Sequence, residues 1–218
     1  MHDYLNLEGI SISKSTVYIY MKELGIKAII NKRKPLYING KKHKIFENII
    51  KRNFNVDKPN KVWCTDFTYL ALSNGKMRYN CTIIDLYNRE IIATLNSNRI
   101  NTQLALDTLK IAMKRRKNFR NVILHSDQGS QYTSKEFIDF CCKNNITQSM
   151  SHTGCPYDNA VIERFYNTFK NEFFNLYSFN DHEVLDKKTY EFMYIKYNYL
   201  RPHSYNNGIP PALNKWSA

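Results

Sequence analysis

A chain of 218 residues can bury one sizeable core and a small appendage, but not two large domains. Hydrophobic residues make up 43% of it and aromatic residues 14%, which excludes a disordered chain. Lys and Arg number 32 against 19 Asp and Glu, and the resulting +13 points to a polyanionic partner, nucleic acid first.

Residues 14–24 read as a short helix, with Val17, Tyr20, Met21 and Leu24 at helical spacing, Ser13 or Ser15 as cap and Gly25 as stop. One such helix buries little and needs a partner. Residues 26–61 read as a basic, mostly irregular connector broken at Pro35, Gly40 and Pro59. Its densest run is Lys32, Arg33, Lys34, Lys41, Lys42 and Lys44, and residues 1–61 together hold a net +8 of the charge. The periodicity then changes. Residues 62–72, 77–86 and 89–96 are rich in β-branched and aromatic side chains and predict three strands, the first two joined at Asn74-Gly75. A helix is expected over 101–117 and a short buried strand over 121–126. Thr133 followed by Glu136 resembles a capping box that opens a helix to about 144. A strand at 146–150, a loop (HTGCPYDN), a long helix over about 159–176 and another over about 181–200 complete the chain. The order β-β-β-α-β-α-β-α predicts an α/β fold, a mixed sheet flanked by helices of the ribonuclease-H-like kind. A short helical and basic N-terminal segment precedes it.

Cutting a phosphodiester at neutral pH needs an activated water and a stabilised leaving oxygen, and carboxylates holding divalent metals supply both. Three acids are placed for this. Asp66 lies inside an apolar strand, where a carboxylate is costly unless paired or metal-bound. Asp127 closes a short strand, and ligand sites in open sheets gather at the carboxyl ends of strands. Glu163 sits in the first turns of a helix, with 35 residues between it and Asp127. Each alone has a plain alternative as a surface, turn or helix-start charge, and Asp85 competes as a strand-end acid. Asn159, Glu163 and Lys170 share one helix face, with Arg164 and Asn167 at its border. Lys170 would reach a phosphate as a point charge. His125 shares a strand face with Asp127, either orienting it or packing. His152 and the stretch 154–158 fit a mobile active-site loop.

The segments WCTDFTYL, LHSDQGSQYTS and SHTGCPYDNAVIERFYNTFKNEFF resemble the OrfB-type transposases of bacterial insertion sequences, the IS-three family, which are grouped with retroviral integrases. The lead-in FNVDKPNKVW and the ending YNYLRPHSYNNGIPPALNKW match as well, so the resemblance covers about residues 5–216. It implies a DDE-type enzyme in which Asp66, Asp127 and Glu163 bind two Mg²⁺ or Mn²⁺ ions. Hydrolytic cleavage would free a 3′-hydroxyl at the element's end, and that hydroxyl would then attack another phosphodiester. Gln131 and Tyr132 match the family pattern as DNA contacts, beside Lys170, Asn159 and Arg164.

Partners implied are double-stranded DNA, at the element ends and at the target, and further copies of the chain on that DNA. Family members have a fuller helical DNA-binding region at the N-terminus, so residues 1–61 are expected to be a truncated helical remnant and basic linker, and 62–218 the catalytic core with its helical tail. An upstream helix-turn-helix, as a subunit or a frameshift fusion, would then find the ends, and this chain would grip phosphates mainly. The alternatives are another ribonuclease-H-like nuclease and a non-catalytic DNA-binding remnant. The five cysteines form no CxxC pair, so neither a disulfide framework nor a zinc knuckle is expected. With no signal pattern and no membrane-length apolar run, the expected location is the cytoplasm, at the nucleoid.

Overall fold

The computed structural model describes residues 1–27, 44–117 and 119–214, so of the basic run from Lys32 to Lys44 all but Lys44 lies outside the described residues. β1 (Val62–Ala71) and β2 (Met77–Asp85) pair antiparallel from Trp63↔Asp85 to Ala71↔Met77. Their turn closes through Leu72 N–H donating to Lys76 O at 2.9 Å, with Gly75 at φ +80°, a left-handed position that favours glycine. β3 (Ile91–Ser97) extends the sheet antiparallel to β2, with a bulge at Ile83/Ile84. The turn between them explains Asp85. Its buried carboxylate accepts from Asn60 N at 2.8 Å and Tyr87 N at 3.0 Å, so the competing acid holds backbone in place and takes no part in the cavity described below.

α3 (Thr102–Arg115) starts at Asn101, whose side chain accepts from Leu104 N. β4 (Ile123–Ser126) then joins the far side of β1 in parallel, and β5 (Thr147–Met150) joins β4, giving the order β3-β2-β1-β4-β5. Between them runs α4 (Lys135–Lys143). Its cap is Ser134, accepting from Phe137 N at 3.3 Å, and not Thr133, which is buried and donates back to Gly129 O. A 3-10 turn over Pro156–Asn159 leads into α5 (Ala160–Glu172), shorter than its sequence pattern predicts because the helix breaks at Phe173. α6 (His182–Tyr190) is capped by Asp181 and continues as a wider π-helix over Glu191–Leu200.

The sheet is covered on both faces. Val62, Cys64 and Leu70 of β1 pack with Ile162, Phe165 and Phe169 of α5 and with Phe192 and Met193. Trp63 and Phe67 of the same strand pack on the opposite face with Leu106, Leu109, Phe137 and Cys141 of α3 and α4. This is the period-2 alternation of a central strand buried on both sides.

At the N-terminus, α1 (His2–Leu7) has no sequence signal, since no side chain caps it. α2 (Lys14–Glu23) begins at Ser13 as expected, yet of its apolar stripe only Val17 is buried, and Leu24 beyond it is exposed. At the other end, Arg201 grips Glu172 through Nε and Nη2 at 2.7 and 2.6 Å, fastening the tail to the end of α5. Among the described residues no helix is long and apolar enough to cross a membrane.

Candidate active site

The site arises where two strands part. β1 and β4 pair in parallel only as far as Cys64↔His125. Two residues further along each chain stand Asp66 and Asp127, on the phase of Cys64 and His125 and hence toward α5. Past the last ladder bond a cavity of about 390 Å³ opens, lined by both acids, by Glu163 from the first turn of α5, and by Gln131 and Asn159. The three acids singled out from sequence are therefore brought together. Gly129 is needed beside Asp127: its N–H donates to Asp127 Oδ1 at 2.9 Å, and a Cβ there would stand 2.9 Å from the same oxygen.

The acids feel one another. Asp66 is held well above the usual carboxylate range, first by burial and next by the charge of Asp127, with Glu163 adding; the Phe67 N–H bond and Lys170 oppose this. Glu163 is raised by burial and then by Asp127. Lys170 is lowered by burial, against the pull of Asp66. A cavity with this much carboxylate charge suits a hard divalent cation, and oxygen-only donors suit Mg²⁺ or Mn²⁺. Among the described residues no three His, Cys, Asp or Glu side chains form a ready-made metal cluster.

Asn159 is 3% exposed, lines the cavity and accepts from Cys64 Sγ at 3.2 Å, while among the described residues its buried Nδ2 has no hydrogen-bond partner. A buried donor without a partner calls for a ligand-side acceptor. Arg164 is exposed on α5, and Lys170 is half-buried in its last turn. Tyr132 must be corrected. Its ring is wholly buried on the α3–α4 face against Phe67 and Phe137, and its hydroxyl meets Thr65 Oγ1 at 3.2 Å, so it cannot touch DNA. His125 packs: its Nε2–H donates to Asp158 O at 2.9 Å, leaving Nδ1 to accept from Ser149 Oγ at 2.9 Å. Burial pushes it down to about 4, so it is neutral.

The loop before α5 is not uniformly free. Its first part bears exposed His152, Thr153 and Gly154, bridged by Gln128, which donates to Ser151 O at 3.0 Å and accepts from Thr153 Oγ1 at 2.8 Å. Its second part ends in Asp158, 1% exposed, whose carboxylate accepts from Arg52, Asn48 and His152. Sequence reading gives no role to Gln128, Asn48 or Arg52, and takes Asp158 only as part of a mobile loop. The available signal was Asp158-Asn159 just ahead of a helix, a place where a buried acid needs named donors.

Comparison with known proteins follows the same lines. Two models described as integrase core domain match residues 56–156 and 144–211. The chain is 33% identical over 210 residues to the transposase InsF for insertion sequence IS3A of Escherichia coli K12, covering 96% of this chain and 73% of that protein. It is 34% identical over 193 residues to the putative transposase InsK for IS150 of the same strain, covering 88% of this chain and 67% of that protein. Among solved structures, a chain of the simian T-cell lymphotropic virus intasome bound to the PP2A subunit B56 gamma superposes with TM-score 0.61 at 16% identity, over 98% of this chain and 74% of that one. The HTLV-2 integrase catalytic core in complex with magnesium superposes with TM-score 0.52 at 16% identity, over 72% of this chain and 97% of that one. The fold is thus the ribonuclease-H-like one expected from the order of elements.

Proposed function

The chain belongs to the IS3 family of insertion-sequence transposases with an integrase core domain, and from that premise we propose that Asp66, Asp127 and Glu163 are its catalytic acids. It is a DDE-type polynucleotidyl transferase acting on DNA. The observation that supports this placement of the chemistry is the meeting of the three carboxylates in one cavity at the parting of β1 and β4.

The three acids would hold two Mg²⁺ or Mn²⁺ ions, which when bound supply an activated oxygen nucleophile and neutralise charge at the leaving oxygen. In the first step water attacks phosphorus, the bond to the 3′-oxygen breaks, and a 3′-hydroxyl is left at the element's end. In the second step that hydroxyl attacks a target phosphodiester, forming one P–O bond as another breaks and releasing a target 3′-hydroxyl. One ester replaces another, so no external energy source and no protein nucleophile are required. Asn159, a cavity-lining residue whose Nδ2 lacks a partner among the described residues, would donate to a phosphate oxygen. Lys170 adds positive charge on the Asp66 side of the site. Gln131, on the cavity wall, and Arg164, exposed on α5, would meet the DNA further out.

Element ends and target are the DNA partners, and several copies of the chain would assemble on them. A helix-turn-helix partner, as a subunit or by frameshift fusion, would supply end recognition. The protein would work at the nucleoid.

The test is a joining assay with the whole chain, Mg²⁺ or Mn²⁺, and duplexes bearing the terminal repeats of the element. Joined products are expected, and Asp127→Asn should lower their rate by at least about a hundredfold, the scale of losing a group that stabilises transition-state charge. Hydrolysis without joining, or full joining by the variant, would remove this assignment.

A further inference from the structure

The segment ahead of the matched integrase core is built into the site. Residues 44–54 run as an irregular strap beside the edge strand β5: Ile49 N donates to Ser149 Oγ at 2.9 Å, and Met150 N to Glu47 O at 3.3 Å. Ile50 is 6% exposed within the core on the α5 face, and Phe54 packs against that core. The strap then turns a corner with Lys51 and Arg52 both left-handed, at φ 45° and 63°, a conformation that non-glycine residues keep only where surroundings enforce it. Lys51 N donates to Asn48 Oδ1 at 2.9 Å to close this corner.

What enforces it is Asp158. Asn48 Nδ2 donates to Asp158 Oδ2 at 3.1 Å, and Arg52 Nε to Oδ1 at 2.6 Å. His152 adds its backbone N–H at 3.1 Å and its Nδ1–H at 2.9 Å to Oδ2. From the other side, His125 of β4 donates to the Asp158 carbonyl at 2.9 Å. The His125 ring leads through Ser149 Oγ back to Ile49 N–H of the strap. Two routes therefore converge from the strap on one residue. The next residue is Asn159, which lines the cavity, and α5 with Glu163 begins directly after it.

We infer that Asn48 and Arg52 are positioning residues of the active centre: through Asp158 they set the start of α5, and so the placement of Asn159 and Glu163. The strap is then part of the catalytic unit, although it lies ahead of residue 56, where the core domain match begins. This rests on the reading of Glu163 as a catalytic acid, and one variant in the test addresses that reading by itself.

The experiment uses the full chain with Arg52→Gln, Arg52→Lys, Asn48→Ala and, as reference, Glu163→Gln. Single-turnover joining, DNA affinity, thermal melting and Mn²⁺ binding by electron paramagnetic resonance are read together. Arg52→Gln should lose about ten- to a hundredfold in joining rate, the scale of a misplaced but intact catalytic group. It should bind DNA within about twofold of the original and bind Mn²⁺ more weakly, because one carboxylate ligand is no longer held in register. Arg52→Lys keeps a charged donor and should recover most of the rate, and Asn48→Ala should fall between. A rate loss that tracks weaker DNA binding, or the unfolded fraction at the assay temperature, overturns the inference, as does unchanged Mn²⁺ binding in Arg52→Gln. A fully active Arg52→Gln beside an inactive Glu163→Gln overturns the inference alone. A fully active Glu163→Gln overturns the catalytic reading and the inference with it.

Discussion

β1 faces two interiors that differ in kind. Toward α3 and α4 it offers Trp63 and Phe67 to a core of Cys81, Ile83, Leu109 and Phe137. Toward α5 the apolar positions Val62, Cys64 and Leu70 are interrupted by Asp66, and the neighbouring strand places Asn80 and Thr82 on the same face. These polar groups satisfy one another: Asn80 Nδ2 donates to Thr94 Oγ1 and to Asn96 Oδ1 at 2.8 Å, and Thr82 Oγ1 to Asn80 Oδ1 at 2.8 Å. Tyr166 of α5 donates to the Asp66 carbonyl at 2.8 Å. One face thus holds the sheet by burial. The other trades burial for a polar belt that leads to the acids, and at Asp66 the charges themselves remain in mutual repulsion.

The comparison breaks if the two faces fail together. Phe137 is 1% exposed and meets the Tyr132 ring edge-on at 5.4 Å. Phe137→Ala should cost about 3–5 kcal/mol of stability, the range for truncating a buried phenylalanine. The folded fraction should nevertheless keep its original metal requirement, read as joining rate against Mg²⁺ concentration at low temperature. A large shift in that requirement would show that the apolar face also tunes the acids.

A smaller and more local change should hit chemistry while sparing the fold. In Gly129→Ala the new methyl would come within 2.9 Å of Asp127 Oδ1 and 3.0 Å of Gln131 Oε1. The carboxylate must move, and about ten- to a hundredfold in joining rate should go with it. Stability should change by less than about 1 kcal/mol, since no core atom is displaced. An unaltered rate would mean that Asp127 has room to shift without penalty.

The parts of this picture that show in sequence are those set by local pattern. Alternation marks β1, Asn74-Gly75 its turn, and an acid within an apolar strand marks Asp66. What sequence hides depends on contacts between distant residues. Tyr132 follows Gln131 directly, yet the turn after Asp127 sends one to the cavity and the other into the opposite core. Asp158 reads as part of a mobile loop, because its partners Asn48 and Arg52 lie more than 100 residues away in irregular chain. The strap ahead of residue 61 is hidden for the same reason: it has no periodicity to mark it, yet Ile50 is buried in the core on the α5 face. α1 lacks a capping side chain, and the π-helical run after α6 has the same residue pattern as an ordinary helix.

The sharpest form of the comparison is a substitution that improves stability by harming function. Asp66 sits among like charges, and in metal-free protein its raised pKa means that the native state disfavours the carboxylate. The unfolded chain, with the ordinary value of 3.8, does not. At neutral pH the charged form therefore opposes folding, and the native state binds a proton more tightly than the unfolded one. Stability from this group is complete below the unfolded value and is lost as pH rises through the folded one. Asp66→Asn removes the charge and keeps an oxygen to accept from Phe67 N–H. In chelator at neutral pH it should melt higher than the original protein by about 1 kcal/mol, a gain typical of relieving active-site strain. That advantage should shrink as pH falls toward 4, because the original protein takes up the proton itself. Mn²⁺ should reverse the order, since it stabilises whichever form binds it. Lower melting of the variant in chelator, or an advantage that grows in acid, would mean that Asp66 is compensated by the protein and that the two faces of β1 differ less than their side chains imply.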